Sequence, residues 1–298
     1  MSHPADPFSP RTLSFAGADG LTLRADARGE PDAPPVVFLH GGGQTRHAWG
    51  GTAAALARDG RLAIALDLRG HGESDWAPGD APYRLERFAA DLRAVIAQLG
   101  RPPALVGASL GGLTSLLAVG ETEVPIATAA VLVDIAPRIE PEGAKRITSF
   151  MVGRPDGYAS LEEVADAIAD YTQQRSRPRD LESLKKNLRL GENGRWHWHW
   201  DPRFMGADGP AEIVDRRRLF AAARRLAFPT LLVRGRESDI LSDEGVREFL
   251  SHLPNAQYVD VGGAGHMVAG DRNDAFTEAV RGFLARAVPL QQAYRAGR

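Results

Sequence analysis

No cysteine occurs anywhere in the 298 residues. Disulfides, thiolate nucleophiles and cysteine-bearing zinc sites are therefore excluded, and the composition is compatible with a reducing compartment. Charge of one sign is also missing: the formal net charge is only −2. Such a balance exerts no global pull toward nucleic acid or an anionic membrane surface. No uninterrupted apolar run approaches the roughly 18 residues that a membrane span needs. The opening MSHPADPFSP has neither a basic nor an apolar segment of the kind that marks a secretory signal. No internal repeat or low-complexity tract interrupts the chain. The expectation is a soluble, cytoplasmic protein, monomeric or homodimeric, with no nucleic-acid or membrane partner.

What is present is ordinary globular material: 43% hydrophobic and 25% charged residues, enough to bury a sizeable core. The segments RTLSFAG, GLTLRADARG and PPVVFLHGG read as strands separated by glycine and proline, the first two as an antiparallel hairpin. RLAIALDLRG, PPALVGAS and ATAAVLVDIAP follow as apolar strands. Between them lie helical patterns, clearest where Leu85, Phe88, Ala89, Leu92, Val95, Ile96 and Leu99 recur at helical spacing. Apolar strands alternating with helices imply a mainly parallel sheet covered on both faces. The rhythm stops at about residue 138 and resumes at about 228 with FPTLLVRGR and AQYVDVGG as strands, each followed by a helix. Residues 1–137 and 228–298 are thus expected to form one discontinuous α/β domain, and 138–227 a helical cap inserted into it. The first and last ten residues read as loose or polar tails.

Gly107-Ala108-Ser109-Leu110-Gly111 fits G-x-S-x-G between a strand and a helix. A tight strand-to-helix turn needs small flanking residues and lifts the serine hydroxyl above the sheet's C-terminal edge. A serine is a poor nucleophile without a base. His266, in GGAGHMVAG after the last strand, is the candidate base, and Asp239, in RGRESDILSDE after the preceding strand, is the expected orienting carboxylate. All three follow strand ends, where sites form in open α/β sheets. Asp134 in VLVDIAP is the rival carboxylate. His40 and His71, each before a glycine at a strand end or turn, are read as structural; His47 opens a helix and His252 ends one, and both are weaker candidates than His266. The glycines of FLHGGGQTRHAW can bring a backbone N–H close to a substrate oxygen, with the N–H of Leu110 as second donor. No Lys-Ser/Thr follows them, so they are not a P-loop.

Together LHGGGQTRHAW, DLRGHGESD, LVGASLGG, RGRESDIL and GAGHMV resemble the α/β-hydrolase family, and the likeness covers nearly the whole chain. It implies the α/β-hydrolase fold, a mostly parallel eight-stranded sheet with helices on both faces and a cap after strand six. It assigns Ser109 as nucleophile, Asp239 as acid, His266 as base, and Gly42 and Leu110 as oxyanion donors. Asp67 and Arg69 would be structural. Relatives that open epoxides or displace halide carry aspartate at the elbow, so Ser109 argues against both chemistries.

In the insertion, RWHWHWDP alternates Trp196, Trp198 and Trp200 with His197 and His199, which on a strand puts the indoles on one face. Packing within the cap is the favoured role and an aromatic pocket wall the rival. The H-x-H pair lacks a third ligand, so no metal is expected. Arg216, Arg217, Arg218, Arg224 and Arg225 read as a solvated helix face, with attraction of an acidic substrate as the rival. Gly43, Met151, Trp198 and Met267 are the candidate pocket residues. The expected activity is hydrolysis of a small ester or lactone through an acyl-enzyme, without a cofactor. A C–C bond hydrolase, a perhydrolase and a hydrolase-fold receptor are the alternatives on the same residues.

Overall fold

The computed structural model describes residues 7–172, 177–206, 215–268 and 273–290. The N-terminal stretch 1–6, the C-terminal tail 291–298 and the expected helix ends at 173–174, 211–214 and 271–272 lie outside the described residues. The chain runs β1 (Arg11–Ala16), β2 (Thr22–Arg28), β3 (Pro35–Leu39), α1 (Gly50–Arg58), β4 (Leu62–Leu66), α2 (Leu85–Gln98), β5 (Ala104–Ala108), α3 (Leu110–Gly120) and β6 (Ala129–Val133). An insertion follows with α4 (Pro141–Val152), α5 (Leu161–Tyr171), β7 (Leu188–Leu190), β8 (Trp196–Trp198) and α6 (Arg216–Arg224). The main sheet then resumes with β9 (Thr230–Gly235), α7 (Asp243–His252), β10 (Gln257–Val261) and α8 (Asn273–Ala287).

Eight strands form one sheet in the order β1-β2-β4-β3-β5-β6-β9-β10. Strand β2 is antiparallel to both neighbours, and the remaining pairs are parallel. The pleat explains the continuous apolar runs. Val36 and Phe38 of β3 turn to one face, where they meet Trp49, Leu56, Phe276 and Phe283 beneath α1 and α8. Val37 and Leu39 turn to the other face, against Phe88, Leu92, Leu113 and Leu117 of α2 and α3. Both faces are covered, so strand positions on either side are apolar.

The insertion is mainly helical, as expected, but carries a small hairpin. The stretch RDLESLKKNLRL, residues 179–190, has an amphipathic helical pattern, yet a 3-10 turn ends at Asn187 and β7 pairs antiparallel with β8, Leu188 opposite Trp198. The Trp-His alternation has period two, and the hairpin satisfies it. Helix α6 packs mainly against α3 and α7. It packs on α3 so closely that a Cβ on Gly120 would come 2.5 Å from Cβ of Ala222. The arginines of α6 are engaged on that surface: Arg218 with Glu121 and Glu86, Arg216 with Glu248, and Arg225 with the Thr122 carbonyl. They face away from the cavity described below, which favours the solvated-face reading. Among the described residues, no helix is long and apolar enough to cross a membrane.

Candidate active site

The turn between β5 and α3 places Ser109 in a strained conformation, φ 47° and ψ −116°. Non-glycine residues hold such angles only where the surroundings enforce them. Here three backbone bonds do so. Ser109 N–H donates to the Val133 carbonyl (3.1 Å), Gly111 N–H to the His40 carbonyl (3.1 Å) and Leu113 N–H to the Ser109 carbonyl (3.0 Å). The flanking glycines are sterically required. A Cβ on Gly107 would lie 2.4 Å from the Gly111 carbonyl oxygen, and one on Gly111 would lie 2.3 Å from that of Leu39.

His266 is held by a different carboxylate from the one expected. Its Nδ1 donates to Oδ2 of Asp134 at 2.7 Å, and the Asp134 side chain is wholly buried. Asp134 follows β6 directly, at a positive φ of 49°. Its Oδ1 accepts from Gly235 N–H (2.9 Å), and its Oδ2 also accepts from the Ser238 hydroxyl. Ser238 Oγ in turn accepts from the N–H groups of Ile240 and Leu241. Asp239 instead pairs with Arg146 of α4 at 2.8 Å, both side chains more than a third exposed. The geometric reason is local. The tight turn after β9 points Ser238 inward at Asp134 and leaves its neighbour Asp239 facing the insertion. Ser238 carried no signal in the sequence, because a serine in a polar loop is unremarked until the carboxylate it touches is known.

Ser109 and His266 line one cavity of about 560 Å³. Among the described residues no hydrogen bond is made by the Ser109 hydroxyl. In ligand-free serine hydrolases the nucleophile–base bond is often long and tightens when substrate binds. With Nδ1 donating to Asp134, Nε2 of His266 is the ring atom left to accept a proton.

The glycine loop after β3 is committed except at one amide. Gly41 N–H donates to Oε1 of Gln44 (3.0 Å) and Gly43 N–H to Nε2 of His71 (3.1 Å). Gly42 N–H has no acceptor among the described residues, and neither has Leu110 N–H at the start of α3. Gln44, which sequence reasoning passed over, also donates through Nε2 to Sδ of Met267 (3.0 Å), tying the glycine loop to the His266 loop.

Beneath the loop sit three buried histidines. Leu68 N–H donates to Nε2 of His40 and Gly72 N–H to Nδ1 of His199. Burial pulls His40 down to about 4 and His71 to about 3, and holds His199 well below the usual range. All three are neutral imidazoles that position backbone. Asp67 and Arg69 are structural in the same sense: Asp67 accepts from Arg46 N–H and Glu73 N–H, and Arg69 makes two bonds to Asp91. Among the described residues no cluster of three His, Cys, Asp or Glu is placed to hold a metal ion.

Residues of the insertion line part of the cavity. Gly43, Met151, Trp198 and Met267 all lie on its wall. Trp198 and Trp200 stack at 5.1 Å, nearly parallel, and both face the cavity. Trp196 does not line the cavity; with Trp198 it packs on the small cluster around Tyr158 and Leu184. Trp198 thus serves both as pocket wall and in packing within the insertion.

The family model described as the alpha/beta hydrolase fold matches residues 34–272. The chain is an α/β-hydrolase. Within this family it is 32% identical over 267 residues to the esterase Rv0045c of Mycobacterium tuberculosis, covering 85% of this chain and 83% of that protein. It is 30% identical to the sn-1-specific diacylglycerol lipase ABHD11 of Mus musculus, over 86% of this chain and 83% of that one. A crystal structure of an alpha/beta hydrolase from Novosphingobium aromaticivorans superposes with a TM-score of 0.79 at 28% identity, covering 96% of this hydrolase and all of that chain.

Proposed function

We propose that this α/β-hydrolase cleaves a small carboxylic ester or lactone through an acyl-enzyme formed on Ser109. The observation that carries the reading is the bond between His266 Nδ1 and a fully buried Asp134, in a cavity that also presents Ser109 on a strained elbow. The two full-length relatives above, named as an esterase and a diacylglycerol lipase, support the ester as the bond cleaved.

In this mechanism Ser109 Oγ attacks the substrate carbonyl as His266 Nε2 takes its proton. Asp134 fixes the imidazole tautomer and stabilises the imidazolium that forms. Charge developing on the carbonyl oxygen is met by the N–H groups of Gly42 in the glycine loop and Leu110 at the elbow, both uncommitted among the described residues. His266 then protonates the departing alkoxide. Water attacks the acyl-enzyme by the same route in reverse, freeing the acid and restoring Ser109. Every proton moves between groups of this chain, the substrate and water. Within the insertion expected at residues 138–227, α4, α5 and the β7–β8 hairpin serve as the cap that closes the cavity and sizes the acyl group.

The test is hydrolysis of p-nitrophenyl acetate, butyrate and octanoate by the wild type and by Ser109→Ala. Turnover is expected in the wild type and lost in the variant, with the far-ultraviolet spectrum unchanged. Persistence of activity in Ser109→Ala would overturn the mechanism.

A further inference from the structure

The cavity above Ser109 has two unlike sides. Toward α4 and α5 it is walled by Ile147, Phe150 and Ile168. The chain leaving the oxyanion loop, Thr45 and His47, forms part of the wall together with the 3-10 turn of residues 182–187, which contributes Lys186 and Asn187. Thr45 Oγ1 donates to Oδ1 of Asn187 at 2.9 Å. That bond fixes the Asn187 amide and leaves its N–H₂ as the available donor.

Lys186 is exposed, and among the described residues no carboxylate pairs with it. Its neighbour Lys185 differs: it is bonded to Glu182 at 2.7 Å and lies over the Trp196 ring at 5.8 Å. The nearby acids are also engaged. Arg46 takes Asp26 at 3.0 Å and binds Asp67 and Glu73 as well. Burial, Arg46 and Lys186 together lower the pKa of His47 against the opposing pull of Asp67 and Asp26. This polar side therefore offers one ammonium without an ion-pair partner among the described residues, one oriented amide and an imidazole biased toward neutrality. A neutral acyl chain laid here would strip water from the ammonium and return nothing. A carboxylate is an acceptor suited to an ammonium and to an amide N–H₂ alike.

We propose, building on the esterase reading above, that Lys186 and Asn187 bind a carboxylate carried by the substrate. The preferred substrates are then anionic esters, with a free acid group remote from the scissile carbonyl. One fixed charge matches a carboxylate better than a phosphate dianion, which calls for more than one cation.

Two measurements separate this proposal from the reading beneath it. The first compares kcat/KM for mono-p-nitrophenyl adipate with that for p-nitrophenyl hexanoate, and for 4-carboxyphenyl butyrate with that for its methyl ester. These pairs put the charge on the acyl or the leaving side. In at least one pair the wild type should favour the anion, and Lys186→Met should cut the anionic-to-neutral ratio about fivefold, mainly through KM, as a screened ion pair does. Salt at about 0.5 M should erode the same preference. The second measures binding of monoethyl adipate to Ser109→Ala by calorimetry, and its loss in the double variant with Lys186→Met. Equal ratios in wild type and Lys186→Met, or undiminished binding by the double variant, would overturn the carboxylate site. Binding without turnover of any ester by the wild type would instead overturn the esterase reading and leave the site standing.

Discussion

Replacing Asp134 by asparagine should abolish catalysis, while the same change at Asp239 should scarcely affect it. The asymmetry follows from the bonds each carboxylate makes. Asp134 Oδ2 accepts from His266 Nδ1 at 2.7 Å in a fully buried setting. Its Oδ1 is held by Gly235 N–H. An asparagine whose oxygen keeps the Gly235 bond turns its N–H₂ toward His266. Nδ1 must then accept, the ring proton moves to Nε2, and the imidazole can no longer take the Ser109 proton. Loss of tautomer control of this kind in serine hydrolases costs about 10⁴-fold in kcat, or ~5.5 kcal/mol of barrier. Asp239 makes one ion pair with Arg146, both partners more than a third exposed, so Asp239→Asn should remove less than about 1 kcal/mol of stability. Its kcat should stay within about threefold of wild type, as a group outside the reacting set predicts. Initial rates on p-nitrophenyl butyrate, with thermal melts to confirm folding, decide the matter. A collapse of kcat in Asp239→Asn, with Asp134→Asn still active, would refute the reasoning.

Ser238→Ala should lower kcat about tenfold with little change in KM, because Asp134 loses a donor and two backbone N–H groups lose their acceptor. Steady-state kinetics check this; a KM effect alone would place Ser238 in substrate binding instead. The buried histidines predict acid sensitivity of the fold. Burial depresses His40 to about 4 and His71 to about 3 from an ordinary 6.5. Between those values and 6.5 the unfolded chain binds protons that the folded chain refuses. Their contribution is therefore complete above pH 6.5 and is lost as pH falls toward the folded values. Each should cost roughly 2 kcal/mol between pH 6.5 and 5. Urea midpoints should fall steeply over that interval, and a flat profile would show that these rings are not held neutral.

The layered sheet was legible because its strands are apolar on both faces and its helices on one, and burial leaves no other arrangement for such runs. The elbow was legible because glycine at 107 and 111 is a steric requirement written directly in residue type. The acid was not. Asp134 and Asp239 follow β6 and β9, neighbouring parallel strands paired with Val133 opposite Val233. Both carboxylates sit at the correct edge, and the choice between them rests on one turn's side-chain directions. Those directions depend on Ser238 and on the positive φ of Asp134, which no periodicity encodes. The hairpin of the insertion was half legible: Trp-His alternation indicated a strand, but the preceding charged segment imitated a helix. The placement of α6 on α3 depended on Gly120 meeting Ala222, a long-range fit that local pattern cannot report.

In the proposed mechanism, seating the acid after β6 relieves the segment after β9 of any proton-handling duty. Ser238 braces the carboxylate from there, but Asp239 and Ile240 are free to serve as an anchor plate for the insertion, through the Arg146 pair and the bond from Glu140 N–H to the Ile240 carbonyl. Nucleophile and acid meanwhile share one rigid seam, since the carbonyl of Val133 holds Ser109 and the next residue is Asp134. Chemistry and roof are thus mounted on separate hardware. A lineage could exchange one insertion for another, and with it the molecules admitted, by redrafting the Asp239 attachment while the seam between β5 and β6 stayed untouched.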